Sequence, residues 1–141
     1  MMNNLSINYL FNYAMAHDIQ FEATHLLQPG TPSCCNTTNR KMVINLNNDE
    51  EGLPLEIAHE IGHIFNGDKG KFYYCGDSSS SPIEVNAHKT GIKILANYYF
   101  EDIPKEEWNV DNFMYYYCIP PSYKDWTIKY LKSLVPSTLA E

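Results

Sequence analysis

Apolar and polar residues alternate along this chain with two different periods, and the switches between them mark out the elements. Near the start, Ile7, Leu10, Phe11, Ala14 and Met15 recur at i, i+3, i+4, i+7 and i+8, which predicts an amphipathic helix over residues 5–15. Period two then takes over. Ile19, Phe21, Ala23 and Leu27 alternate with Gln20, Glu22 and Thr24, predicting a strand over 19–27, and Met42, Ile44 and Leu46 predict another over 41–47. Between them "QPGTP" supplies turn residues, and "SCCNTT" reads as a short middle or edge strand. Acidic Asp49, Glu50 and Glu51, followed by Pro54, suit the start of a helix over 55–65.

The second half is helical in pattern. Ser81 is placed to cap a helix with Pro82 in its first turn and with Ile83, Ala87, Gly91, Ile94 and Tyr98 along one face, ending near Phe100. An aromatic helix is predicted over 105–118, a break follows at "IPPS", and a last helix spans 123–134. There Ser122 and Asp125 read as a capping box, and Trp126, Tyr130 and Leu134 share a face. "SSSS", residues 78–81, reads as a mobile loop. No internal repeat appears, and 141 residues suffice for one domain with its own core.

Composition narrows the function classes. An apolar fraction of 44%, with 11 tyrosines, argues for a packed chain. Ten basic against 17 acidic side chains give a net charge of −7, and none of the basic ones precedes Arg40; direct nucleic-acid binding is not expected. The same gap removes the basic region of a secretory signal, and no apolar run reaches the roughly 20 residues of a membrane span. The expected location is the cytoplasm. Cys34, Cys35, Cys75 and Cys118 contain no C-x-x-C pair, so reduced thiols are expected rather than a cysteine zinc site.

The stretch "LEIAHEIGHIFNGD" carries the chemistry. On a helix, His59 and His63 share a face with Cβ atoms roughly 5–6 Å apart and can offer imidazole nitrogens to one metal ion. Glu60 then lies beside the metal without binding it, where a carboxylate can take a proton from an attacking water and pass it to a leaving amine. An ordinary buried helix would need only the stripe Ile57, Ile61, Ile64 and Phe65, which leaves two histidines and a glutamate at this spacing unaccounted for. A catalytic zinc site wants a third protein ligand. The metzincin extension needs glycine at 66 and histidine at 69, where this chain has Asn66 and Lys69.

In "AHEIGHIFNGD", "EVNAHKTGIKILANYYFED" and "FMYYYCIP", together with the preceding strand pair, the chain resembles the ImmA/IrrE family of zinc metallopeptidases, especially its phage and prophage members. The family's E-x-x-A helix supplies the third ligand through its glutamate. The resemblance therefore implies Glu84 as that ligand, with Ala87 as the matching alanine, while Thr90 and Gly91 stand where an aromatic residue and an alanine are more usual. The plainer alternative for Glu84 is a capping-box partner for Ser81, a role that "SPIE" suits. Glu107 is a rival ligand, and Asp68 and His88 are further candidates; His17 and His25 read as ordinary strand or helix-end residues.

The resemblance further implies an α+β, zincin-like fold. In it a small antiparallel or mixed sheet packs on the H-E-x-x-H helix, further helices close the rest, and residues 104–141 form a helical C-terminal extension. An extended peptide would bind along the sheet edge. It implies a zinc-dependent endopeptidase with a glutamate third ligand, His59, His63 and Glu84 holding Zn2+ and Glu60 acting as base. The implied substrate is a helix-turn-helix repressor of a mobile element, whose cleavage derepresses genes. Two alternatives stay open: a non-proteolytic antirepressor with a structural zinc, and a toxin or stress regulator acting on another host protein. Tyr115, Tyr116 and Tyr117 would line a substrate groove or, more commonly, pack as core and rim.

Overall fold

The computed structural model describes residues 4–67, the backbone of 74–75, and residues 81–135. Asp68, the serines 78–80 and the side chain of Cys75 lie outside the described residues. The chain is α+β. Helix α1 (Asn4–Ala16) leads into β1 (Gln20–Thr24), β2 (Cys34–Asn36) and β3 (Lys41–Asn45). Helix α2 (Leu53–Asn66), β4 (Tyr74–Cys75), α3 (Pro82–Tyr99), α4 (Val110–Tyr116) and α5 (Lys124–Ser133) follow, with short 3-10 turns before α4 and α5. The sheet is mixed, in the order β1-β3-β2-β4: β1 runs parallel to β3, and β2 runs antiparallel to both β3 and β4. "SCCNTT" thus supplies an interior strand.

Both long strands stop short of their apolar pattern, for an identifiable reason. At Thr24 the hydroxyl accepts a hydrogen bond from Leu26 N at 3.0 Å, which turns the chain outward and leaves Leu26 exposed. At Asn45 the backbone N–H donates to Ser33 Oγ at 2.9 Å, and the buried side-chain amide donates through Nδ2 to Gln28 O and Thr31 O at 2.8 and 2.9 Å. Asn47 donates to His25 O and Leu27 O, and Asn48 to Thr31 O. These asparagines read as strand in an alternating pattern; they stitch the 25–33 loop to the end of β3.

Helix α2 is buried on nearly every side, from Leu53 to Ile64, and it touches α1, α3, β2 and β3. Ile57, Ile61 and Ile64 form its core stripe as the periodicity predicts, whereas Phe65 stands half exposed and stacks on the edges of Tyr13 and His17. Gly67 closes the helix in the left-handed conformation, φ +64°. The face of α1 is rotated from its predicted stripe: Ser6, Leu10 and Ala14 are buried and Met15 is exposed, because Ser6 Oγ hydrogen-bonds the buried Tyr117 hydroxyl at 2.9 Å.

That bond belongs to the C-terminal third, whose helices differ from the predicted ones. The run over 105–118 is divided: Trp108 is extended, and Asn109 caps a new helix by accepting from Asn112 N at 3.0 Å. The capping box of Ser122 and Asp125 does not form, since α5 begins directly from a 3-10 turn with no side-chain cap. Its buried positions are Thr127 and Leu131, one residue on from the predicted face; Trp126 and Tyr130 instead stack with each other at its edge, near Lys89 and Lys93. Tyr117 is fully buried, Tyr116 half-buried and Tyr115 exposed.

Helices α2 and α3 pack closely through glycines. A Cβ built on Gly62 would lie 2.4 Å from Ala87 O, and one on Gly91 would lie 3.0 Å from Ala58 O. The two small-residue contacts, Gly62 on Ala87 and Gly91 on Ala58, let the helix backbones touch. Gly62→Ala must therefore push backbone against backbone. It is expected to cost about 1–3 kcal/mol and lower the melting temperature by several degrees. Gly91→Ala should be nearly neutral, because the intrinsic helix gain of about 1 kcal/mol offsets milder crowding. Thermal unfolding of the two variants checks the contrast.

Candidate metal centre

Two helix geometries bring the site together. Within α2, one turn separates His59 from His63 and sets their rings edge to face with centroids 4.6 Å apart. From α3, Glu84 enters at the first turn. Its backbone N–H donates to the Ser81 hydroxyl at 3.2 Å, so Ser81 caps the helix, while the carboxylate is left to point at the histidines. The two roles foreseen for this region, cap and ligand, are divided between the backbone and side chain of one residue.

Glu84 Oε1 lies 2.7 Å from His59 Nε2 and 3.1 Å from His63 Nε2, and the two Nε2 atoms are 3.1 Å apart. All three residues are buried, and among the described residues this is the group able to hold a metal ion. The fit is direct. A tetrahedral ion with ligand bonds of about 2.0–2.1 Å keeps its ligand atoms about 3.3 Å apart, so this N, N, O triangle needs only slight opening. Burial, followed by His88 and His63, lowers the His59 pKa to about 3, which keeps its imidazole in the neutral form that a metal requires.

Glu60 is buried beside this triangle, 3% exposed, and its Oε1 has no hydrogen-bond partner. Burial drives its pKa well above the ordinary carboxylate range; a hydrogen bond with Cys35 on β2 pulls the other way, and Glu84 and Glu56 push up again. A buried carboxyl with one oxygen unsatisfied is costly to a fold, and such groups concentrate where chemistry is done.

A hollow of about 760 Å³ opens over His59 and Glu60, and its far wall is the 29–33 loop with the 47–52 turn. Glu56 on α2 pins that wall: its Oε2 accepts from Ser33 N at 3.1 Å, from the Ser33 hydroxyl, and from Asn48 Nδ2 at 2.8 Å. Neither Glu56 nor the asparagines stood out in the sequence, although "INLNN" just before the motif is the signal that would have exposed them. His88 also lines the hollow, its ring centroid 4.1 Å from that of His59.

The other candidates fall elsewhere. Glu107 sits on the exposed 3-10 turn before α4 and takes no part in the triangle. His17 donates through Nδ1 to Tyr13 O, and His25 donates to Asn47 Oδ1 in the loop stitching. Cys35 is buried, Cys34 half-buried and Cys118 exposed. No helix among the described residues is long and apolar enough to cross a membrane.

Two measurements probe the centre. Metal titration by calorimetry should give one ion per chain. Affinity should fall in His63→Ala and Glu84→Ala by more than the roughly 10–100-fold that an outer partner contributes, and stay unchanged in Glu107→Ala. For the metal-free protein the proton balance has a definite sign. Unfolded His59 takes up a proton near pH 6.5 and folded His59 only near 3, so its effect is to destabilise the fold progressively as pH falls between those values. The stability advantage of wild type over His59→Asn should therefore shrink from pH 7 to pH 4, as read by urea unfolding in chelator. In comparisons with known proteins, no family model, no curated protein and no solved structure matches this chain.

Proposed function

We propose that this chain is a zinc-dependent metalloendopeptidase of the ImmA/IrrE kind that cuts a protein substrate, in the first instance a helix-turn-helix repressor of a phage or other mobile element. One observation supports the reading: the ligand atoms of His59, His63 and Glu84 come together, and the next residue along the helix from His59, Glu60, is buried with a carboxyl oxygen that has no hydrogen-bond partner. A structural metal site has no use for such a carboxyl, and a hydrolytic one does.

When bound, zinc supplies Lewis acidity, lowering the pKa of water from 15.7 towards about 7 and polarising a carbonyl. The protein's own residues do the rest. His59, His63 and Glu84 would hold the ion as its three protein ligands. Glu60 takes the proton from the attacking water. The same carboxyl then returns that proton to the departing amine. The wall pinned by Glu56 and Asn48 keeps the substrate chain over the centre.

The reading is tested by incubating the zinc-loaded protein with a candidate helix-turn-helix repressor and weighing the intact repressor by mass spectrometry. Wild type should yield one cleavage event, and Glu60→Gln should slow it by about 10²–10⁴-fold while retaining zinc. A repressor that stays whole with both proteins, yet releases its DNA equally, would instead establish an antirepressor in which the metal is structural.

A further inference from the structure

Half of the ten basic residues lie on two helices. Helices α3 and α5 carry Lys89, Lys93, Lys124, Lys129 and Lys132 against two acids, Glu84 and Asp125, and Glu84 is buried at the metal centre. In a chain of net charge −7 this is a local reversal of sign. Part of it has a definite arrangement. The rings of Trp126 and Tyr130, one turn apart on α5, are parallel to within 5° with centroids 5.8 Å apart. From α3, Lys89 Nζ lies 5.7 Å from the centre of the Trp126 ring, and Lys93 Nζ lies 5.9 Å from that of Trp126 and 5.6 Å from that of Tyr130. Lys129 follows Trp126 by less than a turn and joins it, with Asp125 and Ile128, around a shallow hollow of about 440 Å³.

The donors of this face are uncommitted. Lys124 is paired with Asp111 at 2.9 Å, whereas Lys89, Lys93 and Lys129 pair with no carboxylate among the described residues. A ring face orients an ammonium without cancelling its charge, so both α3 lysines keep theirs. The half-buried Trp126 likewise has no hydrogen-bond partner for its indole N–H among the described residues, while the Tyr130 hydroxyl is held by Asn97 Oδ1 at 2.8 Å.

What such a face can take is set by its sign and by what covers its rings. Ammoniums and an indole N–H are donors only, so the ligand supplies acceptors that carry negative charge. A nucleic-acid strand would stack its bases on bare aromatic faces, yet here lysines lie over the rings, and the net charge of −7 repels a long polyanion. Carboxylates need no ring face. They reach the ammoniums and the indole N–H, while apolar side chains beside them bury on Trp126 and Ile128.

We propose that the α3–α5 face is a docking site for another protein, occupied by a segment of that protein that carries Asp or Glu beside apolar side chains. The site goes beyond the peptidase reading and does not rest on it, because nothing in the argument depends on whether the metal is catalytic or structural.

The test uses the full chain with three probes: a labelled peptide rich in Glu, Asp and Leu and a labelled oligothymidylate, both read by fluorescence anisotropy, and phosphatidylserine-containing vesicles, read by co-sedimentation. Wild type should bind the acidic peptide, less tightly as salt is added. Combining Lys89→Gln, Lys93→Gln and Lys129→Gln should raise Kd about tenfold, and Lys93→Gln alone about threefold. Lys41→Gln with Lys105→Gln and Lys124→Gln removes the same charge elsewhere and should leave Kd within about twofold of wild type. Melting temperatures near that of wild type verify that the variants are folded. Failure of the acidic peptide to bind, or binding that the two triple variants weaken alike, overturns the proposal. So does tighter binding of the oligothymidylate or the vesicles, which would make the face a nucleic-acid or membrane surface.

Discussion

Everything at the centre depends on how closely α3 can approach α2. Gly62 on Ala87 and Gly91 on Ala58 remove the side chains that would hold the two backbones apart, and the Ala87 carbonyl occupies the space a Cβ on Gly62 would need. Glu84 lies one turn before Ala87 and His63 directly follows Gly62, so the contact fixes the distance between carboxylate and imidazoles. A helix pair separated by ordinary side chains would run 8–10 Å apart, and a glutamate reaching across such a gap would lose the definition that a metal site requires.

The price of this arrangement is electrostatic. Two imidazoles and two carboxyls, those of Glu60 and Glu84, are removed from water in one small volume. The fold answers in three ways. His59 stays neutral, burial pushes the Glu60 carboxyl above the ordinary carboxylate range, and Glu84 takes both Nε2 atoms as partners through one oxygen. Glu60 keeps an oxygen with no hydrogen bond, and His59 Nδ1 beside it is likewise unbonded. A fold selected only for stability would replace that carboxyl with a methylene chain, so its retention is tied to what happens in the hollow above it.

The wall of that hollow is built by polar side chains rather than by packing. Asn45, Asn47 and Asn48 bind the carbonyls of the 25–33 loop, and Glu56 draws Ser33 and Asn48 onto α2, one turn before His59. The helix that carries the histidines therefore also positions the surface facing them. From the other end, the Tyr117 hydroxyl bonded to Ser6 anchors the C-terminal third to α1, and the Tyr117 ring shares the central core.

The sequence by itself determined the elements whose cause is local. Periodicity placed α1, α2 and α3 to within a few residues, Ser81 with Pro82 located the start of α3, and the i, i+4 spacing of His59 and His63 put both imidazoles on one face. Those follow from the helix repeat and from capping, which neighbouring residues settle alone. Tertiary structure decided what depends on partners distant in the chain. It turned α1 towards Tyr117, ended β1 and β3 at Thr24 and Asn45 where loop bonding outcompetes the ladder, divided the aromatic run at Asn109, and shifted the buried face of α5. It also chose Glu84 over Glu107, a choice that no spacing within either segment contains, because it is made by two glycines that let one helix touch another.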